Sequence, residues 1–311
     1  MNRPGTEDDG QDGVNPREPL LPTVSGTALV FEGGGMRASY TSGLVVALLE
    51  AGLHLDWVGG ISAGSSNTAN YLSRDPWRAR HSFTDFAADP RFGDWRTFVR
   101  GQGLFNARYI YEETSLPDQA LPYDWDTFTA STARLRIGAF NATRGEQVHW
   151  GRHDIATLRD LMVRVRASST MPVLMPPVTI DGEVYVDGAL GPAGGIPVDA
   201  ARADGYERFL VVLTRPRDYV KAATRNDWAL RRWFRSLPAV ADAIRERPAR
   251  YNATREELWE LERAGSAYLF VPEVMPVGNG EKSVARLRAS HEAGLDQARR
   301  ELPAIREFLG L

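Results

Sequence analysis

A serine stands between two glycines in the segment Gly60–Gly64, which reads Gly-Ile-Ser-Ala-Gly. A serine hydroxyl is a weak nucleophile, so an enzyme that uses one must hold it beside a base and amide donors. The G-x-S-x-G pattern between a strand and a helix is typical of the strained turn that does this, because small flanking residues leave room for it. The segment therefore predicts Ser62 as a nucleophile. A pattern of this length can arise by chance, so its significance depends on the other motifs in the chain.

Three consecutive glycines, Gly33, Gly34 and Gly35, follow an apolar run and open a helical pattern. Backbone N–H groups at the start of a helix form a site for negative charge. Acyl transfer develops negative charge on a carbonyl oxygen, so this loop is a candidate oxyanion hole. A turn without a ligand and a dinucleotide loop are the alternatives. A dinucleotide loop would need an acidic residue that binds the ribose. Asp56 is at about the right distance in the sequence, but it lies before the second strand, whereas a ribose-binding acid should follow that strand. A Walker-type phosphate loop is excluded because its G-x-x-x-x-G-K-[ST] pattern is absent.

Two residues are candidates for the base that would activate Ser62. Asp187 ends an apolar run and is followed by Gly188 and Ala189, so its carboxylate could accept the serine proton directly. His291 follows Ser62 and Asp187 in the chain order of an α/β-hydrolase triad. It lies on the apolar stripe of the last helical segment, which favours a core histidine. The remaining histidines have no better position: His54, His81, His149 and His153.

Hydrophobic patterns predict the elements that position these residues. Strand, helix, strand and helix alternate between residues 27 and 72, which indicates a parallel sheet in an α/β fold. The carboxyl ends of neighbouring parallel strands meet at one edge, so the glycine loop and Ser62 should lie close together. Further strands are predicted at 135–140, 147–150, 178–180, 184–186, 209–214 and 268–271. Further helices are predicted at 155–167, 196–204, 227–264 with breaks at Pro238 and Pro248, and 284–309 with a break or restart at Pro303.

Composition limits the class of protein. The chain has 311 residues, 43% of them hydrophobic, a net charge of −3 and no cysteine. These values predict one large α/β domain without disulfides or zinc–cysteine sites, and without a general attraction to nucleic acid. Residues 1–26 are predicted to be a disordered tail before a domain at 27–311. No apolar run approaches the ~18 residues that span a bilayer, so we expect a soluble or peripheral protein of the cytoplasm.

The three blocks in this order resemble the patatin-like acyl hydrolases, which have a G-G-G-x-R/K loop, a G-x-S-x-G elbow and a later D-G-A/G block. The matching positions are Gly33, Gly34, Gly35, Arg37, Gly60, Ser62, Gly64, Asp187, Gly188 and Ala189. Small residues and prolines at 167–172, with Pro176 and Pro177, also fit the block before the family's aspartate. The resemblance runs from about Thr27 to Thr214 and suggests the bacterial single-domain branch.

The resemblance implies a mainly parallel sheet flanked by helices in three layers, and a Ser–Asp dyad without histidine. Ser62 would attack an ester carbonyl, and Asp187 would accept its proton and later activate water. The glycine loop would form the oxyanion hole, with the amides of Gly34 and Gly35 as donors, and Arg37 would be structural. Substrates would be membrane lipids or other acyl esters, and neither a metal nor another cofactor is implied. Two alternatives stay open: a Ser-His-Asp esterase that uses His291, and a non-catalytic module that binds an anionic ligand.

Two segments rich in aromatic residues and arginine are candidates for contact with the substrate or a membrane. Residues 74–100 would form an acyl-binding lid or an interfacial surface, or would simply cover the core. The aromatic residues of that segment are Trp77, Phe83, Phe86, Phe92, Trp95 and Phe98. Residues 224–250 hold seven arginines against three acidic residues, together with Trp228, Trp233 and Phe234. This second segment predicts either a weak membrane-facing patch or an ordinary solvated helix face.

Overall fold

The computed structural model describes residues 18–93, 105–223 and 227–311. These residues contain eight strands, each at a predicted position and with ends that differ from the prediction by up to three residues. They are β1 Val24–Phe31, β2 Leu55–Ile61, β3 Arg134–Asn141, β4 Glu146–Trp150, β5 Val178–Ile180, β6 Glu183–Asp187, β7 Phe209–Val212 and β8 Ala267–Phe270. All eight belong to one sheet.

The strand order is β5-β6-β3-β2-β1-β7-β8, and β4 also pairs with β3. β1 is parallel to β2 and β7, and the parallel pairing continues from β2 to β3 and from β7 to β8. The pairs β3 with β4, β3 with β6, and β5 with β6 are antiparallel. The predicted α/β fold with a mainly parallel sheet is therefore confirmed.

The helices of the described residues are α1 Ala38–Glu50, α2 Ala63–Leu72, α3 Pro76–His81, α4 Trp125–Ala130, α5 Leu158–Ser168, α6 Val198–Ala203, α7 Asp227–Trp233, α8 Pro238–Arg263 and α9 Val284–Leu309. Pro238 begins α8, as a proline in the first turn of a helix can. The predicted breaks at Pro248 and Pro303 are wrong, since both residues lie inside continuous helices. Buried residues on both sides of each proline, such as Leu295 and Ile305 in α9, hold the two halves of the helix against the core.

Side chains alternate between the two faces of the sheet. In β1, Leu29 and Phe31 join one hydrophobic cluster, and Ala28 and Val30 join another on the opposite face. Helices cover both faces, which explains why the central strands are apolar throughout. In the part of the chain that the structure describes, no helix is both long enough and apolar enough to cross a membrane.

The fold begins earlier in the chain than the predicted boundary between residues 26 and 27. β1 starts at Val24, and Leu20 forms an isolated parallel bridge with Ser131. The N–H groups of Thr23 and Val24 donate to the carbonyl oxygen of His54, at 2.7 and 3.0 Å. These hydrogen bonds place residues 20–26 in the fold and correct that part of the predicted tail. Residues 1–17 lie outside the described residues.

Candidate active site

Ser62 occupies a sharp turn between β2 and α2, with φ of 57° and ψ of −129°. A β-carbon added to Gly60 would lie 2.2 Å from the carbonyl oxygen of Gly64, and one added to Gly64 would lie 2.4 Å from that of Phe31. Both positions therefore require glycine. The carbonyl oxygen of Ser62 accepts hydrogen bonds from Ser65 N and Oγ, at 2.9 and 2.6 Å, which holds the strained turn at the start of the helix.

The Ser62 hydroxyl donates a hydrogen bond to Asp187 Oδ2 over 2.8 Å. The two side chains are nearly removed from solvent, with exposed fractions of 7% and 6%. The other carboxylate oxygen, Oδ1, accepts the N–H of Ala189 at 2.9 Å, which orients the carboxylate. A serine hydroxyl in direct contact with an oriented carboxylate is suited to proton transfer without a histidine between them.

The register of β3 brings Ser62 and Asp187 together. Gly138 of β3 pairs with Ile61, the residue before the serine, and the next residue, Ala139, pairs with Asp187. β2 and β6 thus deliver the two side chains to consecutive positions of one strand. A β-carbon on Gly188 would lie 2.3 Å from the carbonyl oxygen of Gly138, so this close approach needs a glycine after the aspartate.

Burial raises the pKa of the Asp187 carboxyl above its usual range. The positive charge of Arg247 opposes this shift, as do the hydrogen bonds from the Ala189 N–H and the Ser62 hydroxyl. Removing a carboxylate from water destabilises its ionised form, which makes it a stronger base toward a nearby hydroxyl. The environment of Asp187 therefore favours proton acceptance from Ser62.

Ser168, at the end of α5, connects the turn at Ser62 to β3 through two hydrogen bonds. Its hydroxyl oxygen accepts the N–H of Ser62 at 2.8 Å and donates to the carbonyl oxygen of Gly138 at 2.6 Å. The side chain is fully buried. The sequence placed Ser168 in a block of small residues but assigned it no role, and only the tertiary contact reveals one.

The glycine loop contacts the nucleophile directly. A β-carbon on Gly33 would lie 3.0 Å from the β-carbon of Ser62. The N–H of Gly33, however, donates to the carbonyl oxygen of Gly195 at 3.0 Å, so it is already used and the expectation of an oxyanion donor there is corrected. Among the described residues we find no hydrogen-bond acceptor for the N–H groups of Gly34 and Gly35. Those two amides are the ones available for a ligand.

Gly35 has a φ of +53°, and one residue of the segment between β8 and α9 lies against it. Asn279 is the contacting residue: its side-chain oxygen would lie 2.3 Å from a β-carbon on Gly35, and its carbonyl oxygen accepts the N–H of Met36 at 2.9 Å. The sequence did not single out Asn279. Its segment after β8 thus closes the site from the C-terminal third of the chain.

An apolar cavity opens beside Ser62, Ala63 and Gly35. Its walls are mostly aromatic, aliphatic and thioether side chains: Met36, Phe83, Phe86, Phe92, Phe105, Ile110, Leu121, Met162, Val165, Met171 and Met175. Polar side chains are a minority of its lining. A cavity of this kind binds a hydrocarbon chain and leaves the polar end of the ligand at the nucleophile.

The described part of the segment 74–100 contributes to this cavity. Phe83, Phe86 and Phe92 are buried in its walls, whereas Trp95 and Phe98 lie outside the described residues. Arg78 is buried and donates to the carbonyl oxygen of Leu121 at 3.2 Å, so it has a structural role. Of the aromatic residues named for this segment, Phe83, Phe86 and Phe92 therefore face the cavity and not solvent.

His291 lies away from the Ser62–Asp187 pair. It is 1% exposed on α9, and its Nδ1 lies 2.8 Å from the hydroxyl of Ser42 in α1. Burial lowers its pKa to about 4. Within the described residues, no hydrogen bond links His291 to Ser62 or Asp187. Its geometry is that of a core histidine between two packed helices.

The arginines of the segment 224–250 are partly neutralised. Arg231 and Arg245 lie 3.5 and 3.3 Å from Asp242, and Arg250 lies 2.6 Å from Glu246. Phe234 is buried, but Trp228 and Trp233 of α7 are 76% and 66% exposed. The exposed feature of this segment is therefore the pair Trp228 and Trp233, since several of its arginines are paired with acidic residues.

A family model described as patatin-like phospholipase matches residues 29–202, and these residues include the glycine loop, Ser62 and Asp187. The chain belongs to the patatin-like phospholipase family. A second model, a domain of unknown function called DUF6363, matches residues 237–310. This second match includes α9 and the Asn279 segment against the glycine loop.

Curated relatives support the family. The uncharacterized protein YjjU of Escherichia coli K12 is 29% identical over 198 residues, which are 61% of this chain and 52% of YjjU. The mouse patatin-like phospholipase domain-containing protein 6 is 27% identical over 220 residues, 67% of this chain and 15% of that protein. Lysophospholipase NTE1 of Mycosarcoma maydis is 27% identical over 246 residues, 69% of this chain and 12% of that protein. The match thus spans about half of YjjU and a small part of the other two.

A search of solved structures matches VipD from Legionella pneumophila, with a TM-score of 0.47 and 16% identity. The match covers 89% of this chain and 67% of the VipD chain.

Proposed function

We propose that this patatin-like protein is a serine acyl hydrolase that cleaves carboxylic esters of lipids with Ser62 and Asp187. The observation that carries the proposal is the 2.8 Å hydrogen bond from the Ser62 hydroxyl to the Asp187 carboxylate at the mouth of an apolar cavity. The family and the relatives named phospholipases support a lipid substrate.

In the proposed reaction, Ser62 Oγ attacks the ester carbonyl while Asp187 takes its proton. The N–H groups of Gly34 and Gly35 donate to the oxyanion of the tetrahedral intermediate. Asp187 then returns the proton to the departing alcohol, which leaves an acyl group on Ser62. Water deprotonated by Asp187 then attacks the acyl carbonyl, the bond to Ser62 Oγ breaks as Asp187 returns that proton to Oγ, and the fatty acid is released.

The cavity supports an acyl chain as the part of the substrate that enters the protein. Its aromatic and methionine side chains would contact a hydrocarbon chain without hydrogen bonds, and Ser62 belongs to the same lining. Burial of a chain is worth about 0.8 kcal/mol for each methylene that leaves water. We therefore expect longer acyl esters to bind more tightly until the cavity is full.

Labelling with a fluorophosphonate tests the proposal, because this probe reacts with an activated serine. We expect the wild type to be labelled at Ser62 and to hydrolyse p-nitrophenyl esters, and Ser62→Ala to do neither. His291→Ala should retain most of the activity if it folds. Loss of activity in His291→Ala at an unchanged unfolding temperature would favour the histidine triad. Folded wild type that is not labelled would favour a non-catalytic binding module.

We propose in addition that α7 makes peripheral contact with a membrane. Trp228 and Trp233 are largely exposed on this short helix, and the exposed arginines Arg232 and Arg235 belong to the same segment. Tryptophan partitions into the interface and arginine attracts anionic lipids. Trp228→Ala with Trp233→Ala should reduce cosedimentation with anionic liposomes, and Arg232→Glu with Arg235→Glu should reduce it further at low salt. Equal sedimentation of all variants would contradict the proposal.

A further inference from the structure

Residues 187–195 connect the aspartate of the dyad to the glycine loop. At one end, the carboxylate of Asp187 accepts the hydrogen bond of the Ser62 hydroxyl. At the other end, the carbonyl oxygen of Gly195 accepts the N–H of Gly33 at 3.0 Å. A displacement of this segment would therefore move both the base and the glycine loop relative to the nucleophile. Whatever holds the segment in place acts on both parts of the site.

The segment is folded into two consecutive turns. The N–H of Gly191 donates to the carbonyl oxygen of Gly188 at 3.0 Å, and the N–H of Gly194 donates to that of Gly191 at 3.1 Å. A β-carbon on Gly195 would lie 3.1 Å from the β-carbon of Ala189, the residue whose N–H orients the carboxylate of the dyad. The two ends of the segment are thus packed against each other.

Helix α8 packs against the outside of this segment. Gly194 has a φ of +64°, and a β-carbon there would lie 2.6 Å from the α-carbon of Tyr251. Two arginines of the helix donate to carbonyl oxygens of the segment: Arg250 to that of Leu190 at 3.1 Å, and Arg247 Nε to that of Gly194 at 3.4 Å. The position of the segment therefore depends on α8.

Arg247 also acts on the dyad through its charge. It is half-buried, and within the residues that the structure describes it forms no ion pair. Its neighbour Arg250, in contrast, is paired with Glu246 at 2.6 Å. The positive charge of Arg247 lowers the pKa of Asp187, against the larger effect of burial. A positive charge near a buried carboxylate favours its ionised form, which is the form that can accept a proton.

The helix that carries Arg247 lies outside residues 29–202, which match the phospholipase family model. It belongs to residues 237–310, which match the domain of unknown function. Asn279 of the same region accepts the N–H of Met36, just after the glycine loop, at 2.9 Å. The C-terminal region therefore supports the loop from both ends.

We propose that Arg247 is a positioning residue of the active site, which holds the segment between Asp187 and Gly33 in place and keeps a positive charge near the buried carboxylate. This inference rests on the proposed function, because it concerns the base of the same reaction. It gives the C-terminal region a part in the chemistry of the patatin-like site. Arg247 lies outside the lining of the apolar cavity, so it acts through Asp187 and the segment and not on the acyl chain.

The other charged or titratable groups around the pair stay the same in every variant of Arg247. Burial and the charge of Asp187 raise the pKa of Tyr111, and burial and the charge of Arg247 lower the pKa of Lys221 to about 8. Neither side chain therefore changes its charge at acid pH. The remaining groups near Lys221 are Arg37, Arg215 and Glu32. A difference between variants at acid pH thus reports the charge at position 247.

The pH dependence of p-nitrophenyl hexanoate hydrolysis by Arg247→Gln tests the proposal. Without the positive charge, Asp187 holds its proton up to a higher pH, so the acid limb of kcat/KM should move up by about one pH unit. Above this limb, kcat should fall about threefold to tenfold because the base and the glycine loop are held less firmly. KM should change by less than about twofold, since the cavity is unaltered.

Two further variants separate the charge from the hydrogen bond. Arg245→Gln is the matched control, because Arg245 lies on the same helix but is exposed and lies 3.3 Å from Asp242. Its pH profile and kcat should equal those of the wild type. Arg247→Lys keeps the charge but lacks the Nε that donates to Gly194. Its acid limb should coincide with that of the wild type, while its kcat should remain reduced.

An acid limb that does not move in Arg247→Gln, or that moves equally in Arg245→Gln, would overturn the role of the charge. A wild-type kcat in both variants of Arg247 would overturn the role in holding the segment. If thermal unfolding shows that Arg247→Gln does not fold, Arg247→Lys decides: a displaced limb or an unchanged kcat counts against the proposal. Fluorophosphonate labelling separates this failure from that of the proposed function, which stands as long as the wild type is labelled at Ser62 and cleaves the ester.

Discussion

Replacing Asp187 by asparagine changes the charge at the dyad with little change in shape. The amide oxygen of the new side chain can still accept the N–H of Ala189, which lies 2.9 Å from Asp187 Oδ1. The amide nitrogen would occupy the place of Oδ2, 2.8 Å from the Ser62 hydroxyl, and would donate to it. Both polar contacts are kept, but the group that accepts the serine proton is gone. Activity and folding should therefore respond in opposite directions.

The loss of activity follows from the missing base. General-base catalysis contributes about 100-fold to 10,000-fold in rate, and each tenfold corresponds to about 1.4 kcal/mol of activation free energy. In the proposed mechanism the same carboxylate acts in both acylation and deacylation. We therefore expect Asp187→Asn to lower kcat toward the upper end of this range, a loss of about 10,000-fold or 5 kcal/mol.

The effect on stability follows from the burial of Asp187. Its pKa is raised in the folded state from an ordinary value of 3.8, so the folded protein holds this proton more tightly than the unfolded chain does. The free energy of unfolding then decreases as the pH rises from 3.8 through the folded pKa. Asparagine removes that penalty, and we expect the unfolding temperature at pH 7 to rise by about 2 to 4 °C.

Hydrolysis of a p-nitrophenyl ester and thermal unfolding of the same preparation measure both effects. Asp181→Asn is the matched control, because Asp181 is exposed in the turn before β6 and asparagine accepts its φ of 51°. Asp187→Asn with more than a tenth of the wild-type activity would refute the role of the base. A lower unfolding temperature than the control would refute the argument about the buried charge.

Other predictions concern the support of the nucleophile. Ser168→Ala removes the acceptor of the Ser62 N–H, and urea unfolding should show a loss of about 1 to 3 kcal/mol. Gly64→Ala places a methyl group 2.4 Å from a backbone oxygen and should prevent stable folding. Gly52 also has a positive φ, +67°, but no atom lies within 4 Å of an added β-carbon, so Gly52→Ala should lower the free energy of unfolding by only about 1 kcal/mol. Thermal unfolding of the two alanine variants compares these effects. The acid limb of kcat/KM against pH should lie above 3.8, because burial raises the pKa of Asp187, and a lower limb would contradict this.

The strands and the local turns could be predicted because short-range patterns encode them. Apolar runs marked all eight strands, and the residues Gly60–Gly64 predicted the turn at Ser62. The Asp181-Gly182 pair between β5 and β6 is typical of a tight hairpin turn, and both residues have a positive φ. The continuity of the long helices could not be predicted from proline alone. Packing on both sides of Pro248 and Pro303 outweighs the local cost of the missing hydrogen bond.

The hydrogen-bond partner of each backbone N–H in the glycine loop could not be predicted from the sequence either. The sequence does not distinguish the three consecutive glycines. In the structure, the N–H of Gly33 donates to the carbonyl oxygen of Gly195, and Gly35 packs against Asn279. These partners come from segments far along the chain.

The sequence by itself determined the chemical groups: a serine on a glycine turn, a glycine loop, and an aspartate at the end of a strand. Only the tertiary structure decided that the hydroxyl of Ser62 meets the carboxylate of Asp187 across 125 positions of the chain, and that His291 does not. The physical reason is the register of β3, whose residues Gly138 and Ala139 pair with Ile61 and Asp187. Local preference creates each strand, but burial and pairing across the whole sheet choose the residues that lie side by side.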